Sequence, residues 1–192
     1  SSELNISVVV DESRAGAALE SLHREFRLEK LRALPASTER KVHWALLGLV
    51  QIGRALVQQI VEQHDYFKDK IGLELECLAL ADSSWLLARE QGIAGAELRD
   101  LVAAKERGRK LGEAGARWTL ADQAARLADT LWQMPVKRGV LIDTTALESA
   151  PLLLDALRAG WHVVVANKKP LAVAQARFDE LLAAARARGV QL

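Results

Sequence analysis

The sequence predicts an α/β fold, a twisted parallel sheet with helices on both faces. Three observations predict it. Short apolar, β-rich runs alternate with longer amphipathic runs, the order that builds parallel sheets with covered faces. One strand passes through Gly48 and Gly53 into a helix, a spacing that packs a helix start closely on a strand end. Three of the apolar runs end in polar residues, at Asp82, at Asp143-Thr144-Thr145 and at Asn167-Lys168-Lys169.

Each element has its own signal. Leu4–Val10 is β-branched and reads as a strand, and residues 14–31 place Leu19, Leu22 and Phe26 at helical spacing. One strand and one helix bury too little to stand alone, so residues 1–32 are expected to pack on partners outside themselves. Residues 33–40, with Pro35 and Ser37-Thr38, read as a linker. Residues 41–192 read as the main domain. Val42–Leu47 is a buried strand running into Gly48. The helix after it places Ile52, Leu56 and Ile60 on one stripe. Leu73–Ala81 is a second strand. Residues 85–132, rich in Ala, Arg and Glu, read as mostly helix and loop, with Arg107, Arg109 and Lys110 in solvent. Gly139–Asp143 is a short strand, and Glu148–Ala159 is a helix that turns Leu152, Leu153, Ala156 and Leu157 inward. Trp161–Ala166 is a further strand, and Leu171–Arg188 a long Ala-rich helix.

Composition excludes several classes of function. In 192 residues, 26 Lys and Arg nearly balance 25 Asp and Glu, for a net charge of +1. No basic field is available to hold a nucleic-acid backbone. The one cysteine, Cys77, lies in an apolar run and is expected to be a core residue. The four histidines show no metal-ligand spacing, so no metal site is expected. No apolar run reaches the roughly 18–20 residues that span a bilayer. The first residues lack the basic and apolar regions of a signal peptide, so a soluble cytoplasmic protein is expected. Both ends are expected to continue into a longer protein.

The segment ALLGLVQIGRAL joins a strand to a helix, the context a dinucleotide fingerprint requires. Gly48 makes the tight turn, Gly53 brings the helix close, and the helix start offers free N–H groups to a pyrophosphate. The middle glycine of the usual GxGxxG is Val50 here, and its branched side chain obstructs close approach. The two glycines serve a cofactor or only strand-to-helix packing. Asp82 lies 29 residues beyond Gly53, further than the usual spacing of about 20. It either accepts hydrogen bonds from an adenosine ribose, repelling a 2′-phosphate, or caps a helix at Ser83-Ser84-Trp85. Thr144 and Thr145 either line the crevice where a nicotinamide would lie or form a turn. Lys168 and Lys169 either bind an anionic group or stand in solvent.

In order, the blocks GLVQIG, ADSSWLL, VLIDTT and AGWHVVVANKKPLA, with a helix ending ARARG, resemble the Rossmann-type nucleotide-binding domain of homoserine dehydrogenase. The segment from Gly160 to Lys169 is the most specific, resembling the family's G-H-V-V-T-x-N-K signature. LNISVVVDE and ALESLHREF resemble the end of the ACT regulatory region of aspartokinase, an order similar to bifunctional aspartokinase/homoserine dehydrogenases. The similarity covers nearly the whole chain, most loosely over residues 90–135. It implies NAD(P)-dependent interconversion of aspartate semialdehyde and homoserine, in the threonine and methionine branch of aspartate metabolism, in a homo-oligomer. Lys168 matches a lysine at the family's active site, and Thr144 and Thr145 match positions near the nicotinamide. Gly48, Val50, Ile52, Gly53, Asp82 and Asn167 complete the implied cofactor set. Either NAD or NADP is expected, NAD slightly preferred because of Asp82, with binding weakened by Val50. The family's substrate domain and the kinase domain are absent, so this chain alone is expected to be inactive. A cofactor-free scaffold module is the alternative, and a dehydrogenase for another carbonyl substrate a third possibility.

Overall fold

A computed structural model describes residues 40–109 and 120–192, together with Asp11 and Ser21. Glu39–Leu192 is one unit, distinct from Ser1–Thr38. The strand, helix and ACT-like piece expected before residue 39 lie outside the described residues. Arg40, expected as the last linker residue, instead opens the first strand opposite Leu73.

Five strands make one sheet: β1 (Arg40–Leu47), β2 (Leu73–Asp82), β3 (Trp85–Ala88), β4 (Gly139–Asp143) and β5 (His162–Val165). Their order across the sheet is β3-β2-β1-β4-β5. The four strands expected from sequence within residues 41–192 are parallel. β3 is antiparallel to β2 and was not expected. Its four residues are too short to show a period, and they run straight into polar sequence. The Asp82–Trp85 turn then folds them back along the sheet edge. The chain order reverses at β1, so β1 and β4 part at their carboxyl ends and leave a crevice there.

Helices cover both faces. Side chains alternate along β1, so Trp44 and Leu46 face one way and Ala45 and Leu47 the other. The first face meets Val57 of α1 (Gln51–Glu62) and Leu98 and Val102 of α2 (Gly95–Glu106). The second meets Leu127 of α3 (Leu120–Thr130), then Leu152, Leu153, Ala156 and Leu157 of α4 (Ala150–Arg158), then Leu181 and Ala185 of α5 (Gln175–Arg188). Cys77 is buried on the first face, as expected, and burial pushes its thiol well above the ordinary range. Among the described residues no helix is long and apolar enough to cross a membrane.

The structure revises several boundaries. Ile52 does not join the apolar stripe of α1. It sits in the first turn, beyond the carboxyl edge of the sheet where no core reaches, and is 59% exposed. The helix expected from Leu171 is two pieces, a 3-10 turn (Lys169–Leu171) and then α5. Pro170 suits that single turn because it lacks an N–H, and Ala172 leaves helical geometry at φ −93° and ψ 39°. Trp161 precedes β5 rather than starting it. Its N–H donates to the Ala156 carbonyl at 3.0 Å, and its ring packs edge-on against Trp132 at 5.4 Å.

Candidate functional site

The crevice between β1 and β4 is built on glycine. Gly48 ends β1 with φ +94°, a region side chains rarely adopt. A Cβ there would lie 2.9 Å from the Thr144 carbonyl carbon and the Thr145 nitrogen, so the end of β4 leaves no room for one. A Cβ on Gly53 would lie 2.2 Å from the Gly48 carbonyl oxygen and 2.8 Å from the Thr144 hydroxyl. The start of α1 therefore rests directly on the turn, as the sequence suggested. Val50 is the N-cap residue and supplies no side-chain cap, so the N–H groups of Gln51, Ile52 and Gly53 open toward the crevice without one. The first turn of α1 also holds no acidic residue. The uncapped N–H groups and the positive end of a 12-residue helix can hold an anion. Val50 has extended backbone geometry that any residue adopts, and its side chain is 61% exposed.

Thr144 braces the turn rather than the mouth of the crevice. Its N–H donates to the Leu47 carbonyl at 2.9 Å, and its buried hydroxyl lies 2.9 Å from the same oxygen and 2.7 Å from the Gly48 carbonyl. Beside it Asp143 is fully buried. This carboxylate accepts the Thr145 N–H at 2.9 Å, the Thr145 hydroxyl at 2.7 Å, the Asn167 amide at 3.1 Å and the Ser149 hydroxyl. Asn167 is buried too. Its amide also donates to the Leu147 carbonyl at 2.7 Å, and its oxygen accepts the Lys169 N–H at 3.1 Å. One buried acid thus joins the end of β4, the start of α4 and the loop after β5. Lys168 lies on that loop and is exposed.

Asp82 ends β2 next to the turn, where the Gly48 N–H donates to the neighbouring Ala81 carbonyl at 2.8 Å. The residues after it form a turn into β3, not a helix, so Asp82 caps that turn. One oxygen accepts the Ser84 N–H at 2.8 Å and its hydroxyl at 3.2 Å, and the other pairs with Lys105 of α2 at 2.7 Å. Arg89 is taken up by Glu97 at 2.7 Å.

The profile of the family described as homoserine dehydrogenase, NAD binding domain, matches residues 48–192. The chain belongs to the homoserine dehydrogenase NAD-binding domain family. It is 30% identical over 169 residues to bifunctional aspartokinase/homoserine dehydrogenase 1, chloroplastic, of Arabidopsis thaliana, covering 88% of this chain and 16% of that protein. The Haemophilus influenzae bifunctional aspartokinase/homoserine dehydrogenase is 28% identical, with 88% of this chain and 18% of that protein covered. The chain therefore spans under a fifth of these relatives. Among solved structures it resembles a hyperthermophilic archaeal homoserine dehydrogenase in complex with NADPH, at TM-score 0.59 and 23% identity, over 79% of this chain and 42% of that one. The homoserine dehydrogenase of Thermoplasma acidophilum matches at TM-score 0.56 and 16% identity, covering 79% and 42%. These two likenesses carry the fold.

Within this homoserine dehydrogenase domain the structure brings Gly48, Gly53 and Thr144 into direct contact, and Thr145 into contact with Asn167 at 3.2 Å. Val50 and Ile52 are exposed beside that turn, Asp82 ends the neighbouring strand β2, and Lys168 lies on the loop after β5. Sequence reasoning missed Asp143, Ser149 and Lys105. An acid ending an apolar strand marked Asp143, and Ser149 before Ala150-Pro151 marked a helix start. Lys105 gave no sequence signal.

Proposed function

We propose that this domain holds the nicotinamide dinucleotide of a homoserine dehydrogenase in a longer protein that also carries an aspartokinase. Its substrates are then aspartate semialdehyde and homoserine. The observation that carries this is the uncapped, acid-free start of α1, seated on Gly48 at the switch point between β1 and β4. When bound, the dinucleotide would supply or accept the hydride. The first-turn N–H groups of α1 hold its pyrophosphate, and the Thr145–Asn167 side of the crevice lies toward its nicotinamide. Thr144 and Asp143 act behind these groups by fixing the turn and the loop. Lys168 stands free on the rim, able to meet negative charge that develops on the substrate oxygen. Val50 narrows the approach to the pyrophosphate seat and weakens binding of either cofactor. Asp82 by itself favours NAD.

Calorimetric titration of the chain with NAD and NADP tests the cofactor role. We expect measurable binding of both, tightened in parallel by Val50→Gly. Absence of binding in both proteins would instead support the cofactor-free scaffold. In the full-length enzyme, Lys168→Ala is expected to lower kcat by roughly ten- to a thousandfold. Unchanged kcat and KM would remove Lys168 from the site.

A further inference from the structure

We propose that a cavity at the amino ends of the strands binds a free amino acid with an apolar side chain. The cavity measures about 520 Å³, within the usual range of small-molecule sites, and lies between the end of α1, the first half of β2 and the start of α2. The dinucleotide reading plays no part in it, since the start of α1 lies at the opposite, carboxyl end of β1. Trp44, Leu75, Ile93 and Leu98 give the cavity an apolar floor. Trp44 is 2% exposed, and its indole N–H is buried with no acceptor. An unpaired buried donor is costly, and a ligand oxygen on this floor would offset that cost.

The walls add both signs of charge and an open strand edge. Ala94 supplies no side-chain cap to α2, so the N–H groups of Gly95 and Ala96 in the cavity wall are left to another acceptor. Glu97, the acid of that first turn, is taken up by Arg89 at 2.7 Å. Arg99, one turn further along α2, also lines the cavity. These groups suit a carboxylate. Glu74 of β2 and Asp65, just after α1, line the same space and suit an ammonium. Among the described residues neither they nor Arg99 form a salt bridge. The edge of β2 contributes as well. β3 pairs with β2 only from Ala79 onward, and the Ile93 N–H takes the Cys77 carbonyl on that side at 2.7 Å. Strand alternation puts the Leu75 N–H and carbonyl, two residues earlier, on the same edge in the cavity wall. A zwitterion with an apolar side chain answers all of these features together, and a cavity of this size holds one such molecule.

The test is calorimetric titration of the chain with L-leucine and L-phenylalanine. The amide of each, which lacks the carboxylate, and the des-amino acid of each, which lacks the ammonium, serve as analogues. At least one amino acid should bind saturably, and its analogues should bind about tenfold more weakly or worse. Arg99→Gln should weaken the amino acid by about tenfold and leave its amide unchanged, and Glu74→Gln should weaken the amino acid and leave its des-amino analogue unchanged. Circular dichroism checks folding. Trp44→Phe should weaken binding too; should it fail to fold, the two wall variants carry the test. Backbone amide NMR with the bound amino acid should show shifts at Leu75, Ile93 and Gly95 and none at Gly48 or Gly53. No saturable binding of either amino acid at millimolar concentration, equal binding of the analogues, or unchanged affinity in both wall variants overturns the proposal and leaves the dinucleotide site standing.

Discussion

Gly53 lies so close to the Gly48 carbonyl that no side chain fits between them, and this contact sets the distance from α1 to the sheet. Gly53→Ala should therefore push the helix start outward and destabilise the domain by about 1–3 kcal/mol, the usual range for overpacking. Urea denaturation measures it, and a loss under a few tenths would mean that the turn relaxes freely. Cys77 gives a second test at this scale. Its thiol is buried, and burial holds its pKa far above the ordinary 9.0. A thiol reagent at pH 8 should not label the native protein and should label the urea-unfolded chain. The sign of the linkage follows from the raised value. The unfolded thiol ionises above pH 9.0 while the folded thiol stays protonated, so its contribution to stability is fully present below pH 9.0 and is lost progressively as pH rises from there toward the higher folded value. Rapid labelling of the native protein would show that Cys77 is reached without unfolding.

Asp143 joins three elements: β4, whose last residue it is, α4 through Ser149 and the loop after β5 through Asn167. Asp143→Ala leaves several buried donors without their acceptor, which should cost at least about 1–3 kcal/mol. Asp143→Asn should cost less, because its amide oxygen still accepts. Thermal unfolding of the two variants measures the difference, and equal stability to wild type would show that the network is dispensable. Trp161 is the corresponding apolar joint. Its ring packs on Trp132 and lies against Gly139, where a Cβ would come within 2.5 Å of it. Trp161→Ala should destabilise by about 3–5 kcal/mol in chemical denaturation. The strands that build these joints were legible because parallel strands buried on both faces read as near-continuous apolar runs. β3 was not legible, since Trp85–Ala88 is too short for a period and pairs through a turn that Asp82 stabilises. The joints were not legible either. Asp143 meets Asn167 across 24 residues and Asp82 meets Lys105 across 23, and local spacing carries no trace of such partners.

At the scale of the whole domain, the order β3-β2-β1-β4-β5 decides where chemistry can occur. It makes the carboxyl ends of β1 and β4 the switch point, where Gly48, Gly53 and Thr144 meet, with Thr145 and Asn167 in contact beside them and Asp82 ending the neighbouring strand β2. The sequence placed Gly48, Asp82, Thr144, Thr145 and Asn167 at or just beyond strand ends and Gly53 at the helix start, and the structure has them there. It did not reveal which of them face inward: Thr144 and Asn167 are turned onto backbone and neighbouring side chains, while Val50, Ile52 and Lys168 stand outward. A separate cavity of about 520 Å³ opens at the other end of the strands, between the end of α1 and the start of α2, lined by Trp44, Glu74, Glu76 and Ile93. The most direct test of the central claim discriminates between the two ends. Backbone amide NMR of the isotopically labelled chain, titrated with NADH and NADPH, should show the largest shifts at Gly48, Gln51, Ile52, Gly53 and Thr145. It should show no comparable shifts at Trp44, Glu76 or Ile93. Shifts concentrated at the latter residues, or none anywhere at millimolar cofactor, would contradict a dinucleotide site at the start of α1.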